Sequence, residues 1–257
     1  MVTDGIFATP RVVRDLESCL FYHTMNLPGC GTITGQWDLR GGVADYLGHV
    51  ELGGCRVLDV GTASGFLCFS MEDQGAEVVA YDLSPDHDWD VVPFAGSDIE
   101  GERASRRDII RRVNNAFWFS HGALDSSARM VYGSVYAMPD AMGMFDVAVF
   151  GSILLHLRDP FRALEQAAAF ARKSILVTDV LPRRSLLIPV LARWFGPCLH
   201  FLPEPQRQEP KDAWWLLTPR VVVQMLGVLG FPQAKVTFHN QLYLGRRTRM
   251  FTVVAAR

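Results

Sequence analysis

The segment Val57–Gly65, VLDVGTASG, joins an apolar strand pattern to a glycine-bearing turn, and the helix pattern FLCFSMEDQG follows at once. Strand, turn and helix in that order let a sheet hold a ligand beyond the carboxyl ends of its strands, because glycine admits positive φ and a close backbone approach. Gly61 and Gly65 are the candidates for that duty. A dinucleotide turn needs G-x-G-x-x-G, but Ala63 and Phe66 stand at its third and sixth positions, so the pyrophosphate reading loses its support. Asp59, two residues before Gly61, would repel a phosphate yet can accept hydrogen bonds, directly or through water, from a cationic amino-acid moiety. Asp82 closes the next strand pattern, EVVAYD, where an acid gripping a ribose diol belongs; as a lone strand-end acid it would be a helix cap. In GSVYAMPD, Ser134 and Val135 fall at the end of a third strand, placed to flank an adenine ring, although the same residues also read as an ordinary loop.

Taken together, DVGTASG, VVAYDLS, YGSV and FDVAVFGSILLHLRDP resemble the ordered motifs of class I S-adenosylmethionine-dependent methyltransferases over roughly residues 55–180. Ala63 stands where that family often has glycine, as a small substitute. The resemblance implies S-adenosylmethionine as cofactor, with Asp59 and Gly61 by its methionine part, Asp82 on the ribose, Ser134 and Val135 by adenine, Gly151 near the sulfonium, and Ala63, Gly65 and Leu83 also in the cofactor site. A narrower resemblance includes FYHTMNLPGCGTITGQWD, RVNNAFWFSHGAL and VYGSVYAMP, and is similar to a subfamily related to the enzyme that carboxymethylates wobble uridine in tRNA. It implies a carboxylated cofactor and an RNA partner.

Methyl transfer from a sulfonium is an in-line displacement, so the protein's task is to hold a nucleophile on the methyl axis in a dry pocket. A hydroxyl acceptor also needs its proton taken, which a histidine near its ordinary pKa can do. His156, in the loop after the fourth strand, is one candidate, with a loop-positioning role as its alternative. His23 is the other; it and Tyr22 lie in the N-terminal loop, with Trp37 beyond them. The aromatic insertion carrying Trp194, Phe195, His200, Phe201, Trp214 and Trp215 reads either as a lid over a small apolar acceptor or as a homodimer contact. Trp214 and Trp215 are the candidate lid residues touching the acceptor.

The alternation of strands and helices that must position these residues predicts an α/β, Rossmann-like doubly wound sheet of seven mainly parallel strands. Residues 1–50 form an N-terminal extension, and residues 51–257 the main domain with a cap at about 183–215. Helices are expected at residues 11–20, near Gly41–Val50 and from Asp98 to His121, and a helix opening at Thr218 as its cap with Pro219 in its first turn. With 257 residues, 49% of them hydrophobic and 20% charged, the chain can bury a large core. A net charge of −2 supplies no general field for nucleic acid or anionic membrane, and the RRDIIRR arginines read as a solvated helix face. Five cysteines without C-x-x-C spacing suggest a reducing compartment and no zinc knuckle, and no carboxylate cluster suggests a metal. The opening MVTDGIFATPRVVRDLE lacks a secretory signal's apolar core, and prolines and Arg193 interrupt the apolar run from Ser185, so a cytoplasmic protein without stable membrane association is expected.

Overall fold

Short runs of apolar and β-branched residues alternating with helix patterns bury themselves only as a sheet covered on both faces. A computed structural model describes residues 4–181 and 197–257. In chain order the strands are β1 (Met25–Leu27), β2 (Gly31–Ile33), β3 (Trp37–Asp38), β4 (Arg56–Val60), β5 (Glu77–Asp82), β6 (Arg129–Tyr132), β7 (Phe145–Gly151), β8 (Ala171–Val180), β9 (Leu199–Phe201), β10 (Trp215–Leu217), β11 (Gln233–Tyr243) and β12 (Arg246–Ala256). The helices are α1 (Val43–Tyr46), α2 (Phe66–Glu72), α3 (Ile99–Ala123), α4 (Pro160–Phe170) and α5 (Pro219–Val228).

The main sheet runs β3-β11-β12-β8-β7-β4-β5-β6. Pairing is parallel from β6 through β8 and antiparallel where β12 inserts between β8 and β11. From β4 the chain builds outward to β5 and β6, then returns to lay β7 and β8 on the other side. The order therefore reverses between β4 and β7, the crevice where an open α/β sheet takes its ligand. One buried cluster, including Val60, Phe150, Ile175 and Leu164, lies on the α4/α5 face, and a second, including Phe69, Phe117, Val149 and Tyr46, covers the other.

Eight strands form the sheet where seven were expected. The additional one is β3, whose two residues pair with Leu242 and Tyr243 of β11. It belongs to the N-terminal segment, whose Phe21, Met25, Leu27 and Trp37 share a core cluster with α2 and α3. The helix expected at residues 11–20 shrinks to one 3-10 turn, Leu16–Ser18, capped by the Asp15 side chain. That stretch is mostly exposed and offers no apolar stripe to bury, so nothing sustains a helix. The helix near Gly41–Val50 is the single turn α1, stopped by positive φ at Gly48 and His49. The longer helices start as their sequences predict: Asp98 accepts from the Gly101 N–H at 2.9 Å, and Asp159 from the Arg162 N–H at 3.0 Å ahead of Pro160. Thr218 does stand before α5, but its hydroxyl bonds the Cys198 backbone rather than the helix.

Candidate active site

The turn after β4 is where the sheet's order reverses, and its backbone is built to stay open. Gly65 sits at φ 91°, and a Cβ there would lie 2.4 Å from the Phe69 ring and 2.9 Å from that of Phe117. Gly61, at φ 75°, donates its N–H to the Tyr81 carbonyl at 2.8 Å. Ala63 holds φ 50° despite its methyl group, and its N–H donates to Asp82 Oδ2 at 2.7 Å. The other Asp82 oxygen accepts the Leu83 N–H at 2.7 Å, and the Leu83 carbonyl takes a bond from Asn114 Nδ2. Burial pushes the Asp82 pKa up to about 6 against these two bonds, and each oxygen keeps a lone pair for a further donor.

Asp59, on β4, is 1% exposed and its Oδ2 has no hydrogen-bond partner. Burial pushes its pKa up to about 7, the state of a carboxylate lacking a cation. Tyr81 ties the third strand in: its hydroxyl donates to the Ser134 carbonyl at 2.9 Å, with Val135 buried beside it. Gly151 closes β7 where a Cβ would sit 2.7 Å from Leu67 and 3.2 Å from the Tyr46 hydroxyl. The structure thus gathers the nine sequence-predicted donor-side residues, Asp59 to Leu83 with Ser134, Val135 and Gly151, at the carboxyl ends of β4 to β7.

Across the crevice, His23 donates its backbone N–H to Ser64 Oγ at 3.2 Å, and its ring lies 5.0 Å from that of Tyr22 and 5.8 Å from that of Phe66. Burial drives the His23 pKa down to about 3 and leaves Nδ1 without a partner, so the ring is neutral and a weak base. Burial raises the Tyr22 phenol to about 12, helped by Asp212 and Asp179. Trp37 stands behind this pair: its backbone holds Tyr22 and Thr24 while its ring packs on Tyr243 at 4.7 Å.

His156 lies in the turn after β7, with Nδ1 against the Asp212 carbonyl and its ring 6.0 Å from that of Trp89. A carbonyl only accepts, so Nδ1 carries the proton and Nε2 is the basic nitrogen of the neutral ring. Burial lowers the His156 pKa, which keeps it neutral near pH 7. Trp214 is buried on the same side, its indole N–H on the Asp90 carbonyl at 2.7 Å and its backbone N–H on Leu155. Trp215 turns outward, bonding Arg158 and packing on the exposed Phe201. His156, Trp214 and Tyr22 therefore share one side of the crevice, whereas Trp37 and Trp215 do not face it with them. Trp194 and Phe195 lie outside the described residues.

Residues absent from the sequence reading also stand here. Tyr46 places its hydroxyl 3.1 Å from Ser152 Oγ, at the strand end where Ser152 takes φ 54°. Its α1 segment is anchored by a polar chain: Gln241 Nε2 to His239 Nδ1 (3.1 Å), His239 Nε2 to Thr252 Oγ1 (3.0 Å), Thr252 to Thr178 (2.8 Å), and Thr178 Oγ1 to the Tyr46 carbonyl (2.7 Å). Gln241 Nε2 also donates to the Gly42 carbonyl at 2.8 Å. Asp179, near the end of β8, is 2% exposed with Oδ2 unpartnered, and burial pushes its pKa up to about 7. Its sequence signal is a lone acid inside the apolar run SILVTDVL. Among the described residues there is no His, Cys, Asp and Glu grouping fit to hold a metal, and no helix is long and apolar enough to cross a membrane.

This architecture has known counterparts. The family model described as a methyltransferase domain matches residues 37–226, and the chain belongs to that family. In fold it is similar to the N-terminal domain of EvdMO1 solved in the presence of S-adenosylhomocysteine (SAH) and D-fucose (TM-score 0.57, 19% identity, 94% of this chain and 93% of that one). It is also similar to magnesium protoporphyrin IX methyltransferase from Synechocystis PCC 6803 with bound SAH (TM-score 0.52, 15% identity, 84% and 81%). A third is the 1,6-didemethyltoxoflavin-N1-methyltransferase of Burkholderia thailandensis, bound to 1,6-didemethyltoxoflavin and SAH (TM-score 0.51, 15% identity, 85% and 77%). A search of curated proteins finds no match.

Proposed function

We propose that the chain transfers the methyl group of S-adenosylmethionine to the oxygen of a small aromatic or apolar acceptor. The observation that carries this reading is the unpartnered, buried Asp59 carboxylate beside the left-handed Gly61–Gly65 turn, with Asp82 held at the neighbouring strand end. A buried acid without a cation fits the cofactor's ammonium, and the turn leaves the space that side chains would fill. Asp59 would hold the amino-acid part, Asp82 the ribose, and Ser134 with Val135 the adenine; the cofactor supplies an electrophilic methyl group. The chain's own residues exclude water and orient the acceptor, through the half-buried Tyr22, the buried Trp214 and the loop carrying His156. Residues 1–50 and the cap at about 183–215 supply the acceptor side in this reading.

The arginines of α3 favour a small acceptor over tRNA. Arg103 and Arg107 pair with Glu100 and Asp88, Arg111 with Asp108, and Arg106 with Asp212, so much of the stripe's charge is met within the chain. Calorimetric titration with SAH, with NADH and carboxy-S-adenosylmethionine as comparators, tests the reading. Binding of SAH without a response to NADH supports it, and binding of NADH alone overturns it. Preference for the carboxylated cofactor, together with RNA binding that weakens steeply with salt, would transfer the assignment to a tRNA-modifying enzyme.

A further inference from the structure

The methyltransferase reading places a donor but leaves open which group receives the proton that a hydroxyl acceptor must lose. Resting on that reading, we propose that Asp179 holds the acceptor's reacting hydroxyl on the methyl axis and takes its proton. Strands β4, β7 and β8 are parallel neighbours, with Val60 opposite Phe150, Phe150 opposite Val177, and Gly151 opposite Thr178. Asp179 therefore stands level with Ser152, one strand spacing from the end of β7 and about 10 Å, two spacings, from the turn after β4.

The surroundings identify what that carboxylate lacks. Asp179 Oδ1 accepts the Val180 N–H at 2.7 Å, whereas the buried Oδ2 accepts nothing. The groups whose titration feels its charge are the Tyr22 phenol from the N-terminal segment and the Tyr46 phenol from α1. Tyr46 also feels Asp59, and its hydroxyl lies at Gly151 and 3.1 Å from Ser152 Oγ. No cationic side chain among the described residues pairs with Asp179. A buried acceptor atom left open in this way costs stability unless a ligand donates to it.

An acceptor hydroxyl meets that need. As the new O–C bond forms, the sulfonium's C–S bond breaks with its electron pair staying on sulfur, and the hydroxyl proton passes to Asp179 Oδ2. Charge balances: the sulfonium cation and the carboxylate anion become a neutral thioether and a neutral acid. Burial, which raises the Asp179 pKa to about 7, suits the group to this transfer near neutral pH.

Sinefungin tests the placement without a known acceptor, because it carries an ammonium where the transferable methyl group would be, while SAH carries nothing there. Calorimetric affinities of both ligands are measured for the wild type, for Asp179→Asn and for Asp59→Asn. If Asp179 faces the methyl position, the wild type prefers sinefungin over SAH by about tenfold or more, the range of a charge-assisted hydrogen bond. Asp179→Asn abolishes that preference and leaves SAH affinity within about twofold, whereas Asp59→Asn weakens both ligands together and keeps the preference. Equal loss of both ligands in Asp179→Asn, or a preference that survives it, overturns the proposal while the methyltransferase reading stands. Failure of the wild type to bind either ligand overturns that reading itself.

Discussion

The two sides of the crevice are made differently. Most of the donor side comes from one strand-turn-helix-strand run, Asp59 to Leu83, in which each backbone group is placed by the next: Gly61 on Tyr81, Ala63 and Leu83 on Asp82. The proposed acceptor side is collected from distant segments, with Tyr22 and Tyr46 before the first parallel strand, His156 just after β7, Asp179 near the end of β8, and Trp214 at the end of the cap. A site written in one continuous segment is fixed by local geometry and changes little without breaking. One assembled from separate segments can alter a residue at a time, which is where acceptor choice resides in such folds.

Substitutions can break that contrast. Gly65→Ala is expected to do the most damage, about 2–4 kcal/mol in denaturant unfolding, because the left-handed backbone and the Phe69 and Phe117 contacts leave no room. Full stability in that variant would show that the turn relaxes freely. Asp82→Ala should weaken SAH about a hundredfold by calorimetry, through the lost ribose grip and two freed backbone donors. Unchanged affinity would remove the ribose assignment. His156→Ala should slow turnover by about tenfold to a hundredfold while SAH affinity holds, because the loop that orients the acceptor loses its bond to the Asp212 carbonyl, and a rate equal to the wild type would remove His156 from acceptor positioning.

A gentler probe is acidity. Asp59, Asp82 and Asp179 have native pKa values pushed up to about 7, 6 and 7 from an ordinary 3.8. Between these values the three carboxyls bind more protons in the native protein than in the unfolded chain, so their contribution to stability falls as pH rises from about 4 to 7. The depressed carboxyls Glu72 and Asp146 act below that window, since their contribution is lost only as pH falls past ordinary values of 4.5 and 3.8. The buried, neutral His23, His156 and His239 act in the opposite sense over the same range, so the carboxyls are read by difference: a double Asp59→Asn, Asp179→Asn variant should gain in melting temperature on the wild type as pH rises from about 4 to 7. The smallest effect is expected at Ala63, where glycine would relieve φ 50° and raise stability by about 0.5–1 kcal/mol.

The same contrast explains what could be read from sequence. Period and punctuation located β4, α2 and β5 as apolar runs joined by glycine-bearing turns, and α3 by the Asp98 cap at its start. They overcalled residues 11–20, whose backbone bonds go instead to distant partners, as Leu20 to Arg112 shows. Neither Tyr46 nor Asp179 announced itself: one reads as a core aromatic, the other as a polar residue near a strand's end; the α1 segment brings Tyr46 to Gly151, and the register of β7 against β8 sets Asp179 level with Ser152. Thr218 was a cap by position alone, since Cys198 claims its hydroxyl across the fold.

The polar chain behind Tyr46 has a fixed direction at its outer end. Gln241 must present its nitrogen, because the Gly42 carbonyl can only accept, so His239 receives at Nδ1 and donates from Nε2. Thr252 accepts from His239, and the Thr252 and Thr178 hydroxyls, in contact with each other, both reach the Tyr46 carbonyl, at 3.1 and 2.7 Å. Protonating His239 would set two donors face to face and force the Gln241 amide to turn over, surrendering Gly42. The orientation of one uncharged amide at the sheet's far edge thus records the charge of His239 and passes it, bond by bond, to the backbone that carries a site phenol.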